Sequence, residues 1–456
     1  MTAGGAKDLG ARLTGEVVTP DDPGWEAARQ AWNLAIDQQP AAVAVVADAD
    51  DIAATVAFAR ERDLRVAVQG TGHGASALNP VDEILLIKTE RLQGVEIDAA
   101  AGRARIEAGV IWRDALDRAQ ESGLTALAGS SPDVGVVGYT LGGGVGWFAR
   151  KYGLACNSVS AIELVTADGE PRRVDAGTDS DLFWALRGGG GNFGVVTAIE
   201  LDLYPVAEVY AGSLLLPADD GREIMHGYRE WTQTAPDEVT STGKFLRLPP
   251  LEDIPEPIRD RPLVMLGACF IGGEEDGAEL IAPLRALGEP IMDTFGTIPS
   301  SQLVTVAMDP EQPVPASGHH ALLRELPDDA MDAFVDAAGP DSGSPLVMAE
   351  LRHLGGATST PATDGGALSR LDGAFVFNGV GALMDPSMAD PINRHLDHIC
   401  DAINPWANGG CYLNFAERRP ELDTLFDAKA RKRLSEVKAR WDPDRLFHAS
   451  FAIGVT

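Results

Sequence analysis

The chain has 456 residues, with 37 Lys plus Arg against 68 Asp plus Glu and a formal net charge of −31 at pH 7. That balance leaves no large basic face for a nucleic-acid backbone or an anionic membrane surface. A hydrophobic content of 45% supports two or three packed cores and excludes a disordered polyanion. Cys156, Cys269, Cys400 and Cys411 form neither a C-x-x-C pair nor a metal-ligand spacing, so neither a disulfide framework nor a bound metal is expected.

Residues 1–24 are polar and Gly-rich, without an apolar h-region or an Arg-Arg pair, and no later apolar run approaches about 18 residues. A soluble, cytoplasmic protein is expected. From residue 42 the pattern alternates strand and helix: a short apolar strand at 42–46, a helix at 50–62 with acidic residues at its start, strands at 65–69 and 84–88, and a pair at 95–97 and 104–107 across a turn at 100–103. An amphipathic helix at 111–121 follows. Segments 161–166 and 171–174 flank Asp168-Gly169, a hairpin signal; a helix at 181–186 then runs into a glycine tract and a β-rich stretch at 195–203. Leu203-Tyr204-Pro205 reads as a boundary, because beyond it longer elements are separated by Pro-rich connections such as 248–258. Strands are expected at 211–216, 263–271, 346–351 and 374–380. Helices are expected at 278–287, where Pro283 is a breaker, and at 329–338 and 393–403. Four or so strands and several helices suggest a sheet with one face covered.

Three Gly-rich segments stand out: Gln69-Gly70-Thr71-Gly72-His73-Gly74, then 135–146, then 188–194. Gly189-x-Gly191-x-x-Gly194 formally fits the dinucleotide fingerprint, but a helix precedes it and β-branched Val195-Val196-Thr197 follows, the reverse of the required order. Together the tracts suit backbone amides from several loops converging on the diphosphate of a long cofactor; each alone also reads as a turn. His73, flanked by glycines, is either an exposed loop residue or a chemical one. Gly129-Ser130-Ser131-Pro132 is not G-x-S-x-G, no Walker A sequence occurs, and His319-His320 lacks companion ligands, so those histidines are expected to be solvated loop residues.

The segments 66–73, Pro132-Asp133-Val134-Gly135-Val136-Val137-Gly138-Tyr139-Thr140-Leu141-Gly142-Gly143-Gly144, Arg150-Lys151-Tyr152-Gly153-Leu154 and 182–194 resemble the FAD domain of the berberine bridge enzyme-like oxidases. These belong to the vanillyl-alcohol oxidase and p-cresol methylhydroxylase superfamily, which includes bacterial hydroxynicotine oxidases. Tyr412-Leu413-Asn414-Phe415 is similar to that family's Y-x-N segment, and Ala439-Arg440-Trp441-Asp442-Pro443 to its closing helix and D-P turn. The resemblance implies an α+β, two-domain PCMH-type FAD-binding fold with a substrate domain built on an antiparallel sheet covered by helices. The implied division is an N-terminal segment (1–37), an FAD-binding domain (38–208), a substrate domain (209–407) and a segment returning to the FAD domain (408–456).

It further implies FAD joined through its 8α carbon to His73. The implied contacts are Gln69, Gly70, Thr71, Gly72, Gly74, Ser131, Asp133, Val134, Gly135, Gly138, Tyr139, Gly142, Gly143, Gly146, Asn192, Gly194, Val195, Val196, Tyr412 and Asn414. Relatives with two links carry Cys where this chain has Ser131, so a single link is expected, with Cys156 a structural thiol. Tyr139 stands where many relatives have His, and Asn378 near where alkaloid-cyclising members have a catalytic Glu. Proton transfer then falls to Tyr412, with Tyr139, Glu350, Arg352 and His353 as second choices; the plain alternative for the last three is a solvated strand face. The implied activity is hydride transfer from a CH–OH or CH–N carbon of a small molecule to flavin, reoxidised by O2. The alternatives are a dehydrogenase with another acceptor and an inactive flavin-binding protein. A monomer or homodimer acting on a small molecule, without nucleic acid, membrane or metal, completes the expectation.

Overall fold

The computed structural model describes residues 3–250, 255–259 and 261–454. Among them, strands assemble into three sheets. The first runs Glu16–Val18, Ala42–Val45, Leu85–Lys88, Val66–Gln69, parallel except for its first pair. The helix Ala49–Glu61 starts where the Asp48 side chain accepts the Asp51 N–H at 2.9 Å, and Asp50 and Asp51 lie in its first turn. It buries Ile52, Val56 and Ala59 on the apolar sheet face. The outer edge of Val66–Gln69 is closed from far along the chain: Val66 N–H donates to Leu446 O at 2.8 Å and His448 N–H to Val66 O at 2.7 Å.

The second sheet is antiparallel, in the order Val95–Asp98, Arg103–Glu107, Val195–Asp202, Val159–Val165, Pro171–Asp175. Its alternating apolar residues Ile106, Ile162, Leu164 and Ile199 form one core with Trp112 and Leu116 of the helix Trp112–Gln120. Leu434 and Val437 of the helix Ala428–Trp441, with Phe451 and Ile453, fill the same core. The glycine tract 135–146 holds a short helix, Val136–Leu141, that its composition concealed.

The third sheet is antiparallel and has eight strands, against the four or so expected. Its main path is Met292–Asp293, Glu208–Pro217, Pro262–Phe270, Val239–Arg247, Met348–His353, Phe375–Ala382, Ala316–Leu323, with Gly296–Pro299 also paired to Glu208–Pro217. Both faces are buried. On one, the helices Gly221–Thr232, Glu274–Arg285, Asp328–Ala338 and Ala389–Ile403 pack Tyr228, Ile281, Phe334 and Leu396 against Leu214, Leu266, Leu351 and Phe377. Pro283 sits in the last turn of Glu274–Arg285, which starts earlier than expected with three acidic residues at its N-terminus. The other face is polar yet enclosed, with Ser213, Thr242, Lys244, Glu350 and Arg352 all buried. That is why Val239–Arg247, reading V-T-S-T-G-K-F-L-R, and Ala316–Leu323, with its two histidines, escape a search for apolar strands. Within the Pro-rich connection 248–258, residues 251–254 lie outside the described residues. No described helix is long and apolar enough to cross a membrane. The α+β, two-domain class expected from the sequence is the one observed.

Candidate active site

His73 occupies the loop between Val66–Gln69 and the short helix Ala75–Leu78. The preceding Gly72 has φ +92°, and a Cβ there would meet Trp32 N at 2.8 Å, so only glycine admits the N-terminal segment this closely. The Trp32 ring stacks on the His73 ring with centroids 4.2 Å apart. His73 Nε2 lies 3.4 Å from Asp133 Oδ1, and Asp133 Oδ2 accepts the Trp32 Nε1–H at 2.5 Å. Gln69 is buried and donates to Gln30 O at 3.2 Å. Thr71 stands 3.8 Å from the Cβ position of Gly135, so the loops 69–74 and 131–138 are neighbours.

Ser131 Oγ donates to Asp309 Oδ2 at 2.6 Å, and Ser130 Oγ to the same oxygen at 3.1 Å. Val134 packs against the second-sheet core and accepts the Trp112 N–H at 3.0 Å. Beyond it, several glycines serve the protein's own side chains. A Cβ on Gly142 would fall 1.9 Å from Asn414 Oδ1, one on Gly144 2.6 Å from the Tyr139 ring, and one on Gly146 1.7 Å from Ala128 O. A Cβ on Gly143 would meet Tyr412 at 3.5 Å. Asn414 Nδ2 donates to Tyr139 O at 2.9 Å, locking the C-terminal segment onto this loop. The third tract behaves in the same way. A Cβ on Gly188 would strike Leu368, one on Gly189 Ala185 O, and one on Gly194 Leu164 and Val165 O. Asn192 is buried on Gly189 O and accepts Lys438 Nζ at 2.6 Å, while Val195 and Val196 lie in the second sheet with buried side chains.

Tyr412 is 1% exposed, and its Oη accepts the Val145 N–H at 2.7 Å. Burial pushes the phenol well up; the Val145 N–H and the Arg352 cation pull the other way without overcoming it. Tyr139 Oη is buried without a partner, its phenol raised by desolvation and then by nearby Tyr412. On the polar face of the third sheet Arg352 Nε donates to Glu350 Oε1 at 2.9 Å and Arg352 Nη2 to Ser130 Oγ at 3.3 Å; Lys244 Nζ lies 3.9 Å from Glu350 and donates to Ala307 O at 2.9 Å. Arg352 also lies over the Phe415 ring, 5.3 Å from its centroid. Glu350 and Arg352 are therefore enclosed residues rather than a solvated strand face, and Asn378 pairs with Glu350 in register.

His353 is a correction. By strand alternation it lies on the opposite face from Glu350 and Arg352, with Nε2 3.0 Å from Arg150 Nη1 and its ring stacked on Phe375. Burial and then Arg150 lower its pKa to about 3. His320 is a second correction: it is a strand residue, 8% exposed, whose Nε2 accepts the Tyr412 N–H at 2.9 Å. Trp32, Lys244 and Asp309 were not singled out. Lys244 carried a signal only in the alternation of Thr242, Lys244 and Leu246 along one strand; Trp32 and Asp309 carried none.

The residues fit FAD on two counts. Gln69 Oε1 and Tyr139 Oη, buried with no hydrogen-bond partner among the described residues, lie on the 69–73 and 133–139 segments, beside the His73–Asp133 pair. The Cβ positions of Gly74, Gly138 and Gly191 meet open space, and those of Gly70 and Gly135 only ordinary contacts, so these five leave backbone accessible. An FAD binding domain family matches residues 40–175, and a berberine and berberine-like family matches residues 411–454. The chain is 28% identical over 473 residues to (R)-6-hydroxynicotine oxidase of Paenarthrobacter nicotinovorans, covering 97% of each. Its structure matches 6-hydroxy-D-nicotine oxidase from Arthrobacter nicotinovorans at TM-score 0.81 and 25% identity, over 97% of this chain and 98% of that one. It matches Physcomitrella patens BBE-like 1 at TM-score 0.85 and 18% identity, over 99% of each. The two family matches fall on the segments that carry His73 and Tyr412, at opposite ends of the described fold, so the chain is an FAD-linked oxidoreductase similar along its length to the berberine bridge enzyme-like proteins.

Proposed function

We propose that the chain is an oxidase that takes a hydride from a CH–OH or CH–N carbon of a small organic substrate, with FAD held by one covalent link to His73 and electrons delivered to dioxygen as hydrogen peroxide. The observation that carries this reading is the meeting of Tyr412 with the glycine loop at Val145 and with the Arg352 cation of the third sheet. The likeness to (R)-6-hydroxynicotine oxidase supports an oxidase rather than a dehydrogenase. When bound, the flavin supplies the two-electron acceptor.

The chain's own residues handle the proton. Negative charge arriving on Tyr412 Oη meets a Val145 N–H already in place and the Arg352 cation, which Glu350 anchors. Burial keeps most of this phenol protonated at neutral pH, so the proton acceptor is its ionised fraction, which grows about tenfold per pH unit. Tyr139 Oη, without a partner among the described residues, is free to donate to a bound group. Lys244, Glu350 and Arg352 hold the polar floor of the site, and His353 takes no part. The reading carries with it the division at residues 38, 209 and 408, a cytoplasmic monomer or homodimer, and no nucleic-acid, membrane or metal partner.

The test is anaerobic loss of flavin absorbance across a panel of alcohols, sugars and cyclic amines, followed by admission of air. Bleaching followed by stoichiometric peroxide supports the oxidase. Bleaching that air does not reverse makes the chain a dehydrogenase, and no bleaching by any compound makes it a flavin-binding protein without this chemistry.

A further inference from the structure

The surroundings of His73 differ from those of an ordinary loop histidine. Its Nε2 and the Asp133 Oδ1 that faces it at 3.4 Å are both buried, and neither atom has a hydrogen-bond partner among the described residues. Asp133 is fixed by Trp32, whose indole N–H holds Oδ2 while its ring covers the imidazole face. The other ring nitrogen, Nδ1, has no protein partner among the described residues.

We propose that Asp133 is the proton acceptor that readies His73 to bond the flavin through Nδ1, an inference that rests on the covalent reading above. An imidazole attacks carbon with an unprotonated nitrogen, and which nitrogen is free is set by the bond the other makes. With Nε2–H directed at Asp133, the lone pair lies on Nδ1. As the Nδ1–C8α bond forms, the ring becomes cationic and gives up its Nε2 proton to Asp133, while the 8-methyl carbon loses a proton of its own. Two protons and two electrons thus leave for one C–N bond, and dioxygen takes the electrons as hydrogen peroxide. Burial tends to raise the Asp133 carboxyl, but the bonds from His73 and Trp32 outweigh it and hold it below the ordinary carboxylate value, ionised and ready to accept. Glu417 is a second carboxyl that feels His73, but it is bonded to Ser76 and raised by burial, which suits it less to the task.

Apo-protein from a riboflavin-starved auxotroph, mixed with FAD in air, gives the rate at which flavin becomes inseparable from the denatured polypeptide. At saturating FAD, Asp133→Asn is expected to link the bound cofactor about 100-fold more slowly or worse, and Glu417→Gln to link it at the normal rate. NMR of the wild-type flavopeptide, which needs no variant, is expected to show substitution at Nδ1. Linking at the wild-type rate in Asp133→Asn, slowing confined to Glu417→Gln, or substitution at Nε2 overturns the proposal while leaving the covalent reading intact. Wild-type protein that releases all its FAD overturns both.

Discussion

His320 Nε2 accepts the backbone N–H of Tyr412 at 2.9 Å, so a histidine of the third sheet fixes the main chain that carries the site's buried phenol. That bond requires an unprotonated Nε2, and burial, followed by the neighbouring His319, lowers the ring's pKa to about 4. His353 is likewise buried and lowered, to about 3. Both stand near 6.5 in the unfolded chain. Between those values the unfolded state binds protons that the folded state refuses, so stability rises with pH across this window and levels off above about 6.5. Each ring contributes a slope of up to about 1.4 kcal/mol per pH unit. Urea midpoints from pH 4 to 8 should show the rise, and His320→Gln should flatten part of it; a variant profile as steep as the wild type would refute the assignment to His320.

Tyr412→Phe should retain FAD and near-normal substrate affinity while anaerobic flavin reduction slows by about two orders of magnitude or more. The wild-type rate should climb about tenfold per pH unit through the neutral range, because the phenol is raised and its ionised form does the work. Stopped-flow reduction at several pH values checks both. A variant that keeps the wild-type rate and slope shows that Tyr412 only packs.

Near the C-terminus, Asp442 is fully buried, accepts Lys438 Nζ at 2.6 Å, and takes the Leu446 and Phe447 N–H groups at 2.7 and 3.1 Å. Asp442→Ala removes the counter-charge of the buried Lys438 ammonium, leaving it the Asn192 carbonyl, and should cost about 3–5 kcal/mol. Calorimetry should record a large fall in melting temperature; a small one would mean that Lys438 finds another partner.

Arg445, two residues after Pro443, has φ +55°, a conformation that costs an ordinary L-residue about 1 kcal/mol and glycine nothing. Arg445→Gly should therefore raise the melting temperature slightly. A fall would show that the guanidinium makes contacts worth more than the strain.

Most strands and the longer helices between residues 42 and 203 were legible because their apolar pattern is local; the strand at 159–165 and the helix at 112–120 lie within a few residues of expectation. The third sheet was half legible. A strand buried on both faces, one apolar and one polar, presents Thr242, Lys244 and Arg352 as though for water, and nothing nearby in sequence says that another domain covers them. The glycine tracts drew attention for a reason only partly right. Gly142 is demanded by Asn414, a packing requirement that local sequence cannot disclose when the partner is hundreds of residues away, and Gly144 by the ring of nearby Tyr139. Asp133 was named among the cofactor contacts, but its pairing with Trp32 depends on a fold of the N-terminal segment that no periodicity announces.

The closure of strand Val66–Gln69 by Leu446 and His448 also sets an order of events during synthesis. This strand leads directly into the His73 loop, yet its outer hydrogen bonds wait for residues nearly four hundred positions downstream. A nascent chain must hold that edge open until residues 446–448 have been made, and contacts so distant form slowly. The strand that leads into the His73 loop is therefore among the last parts of its sheet to gain a paired edge.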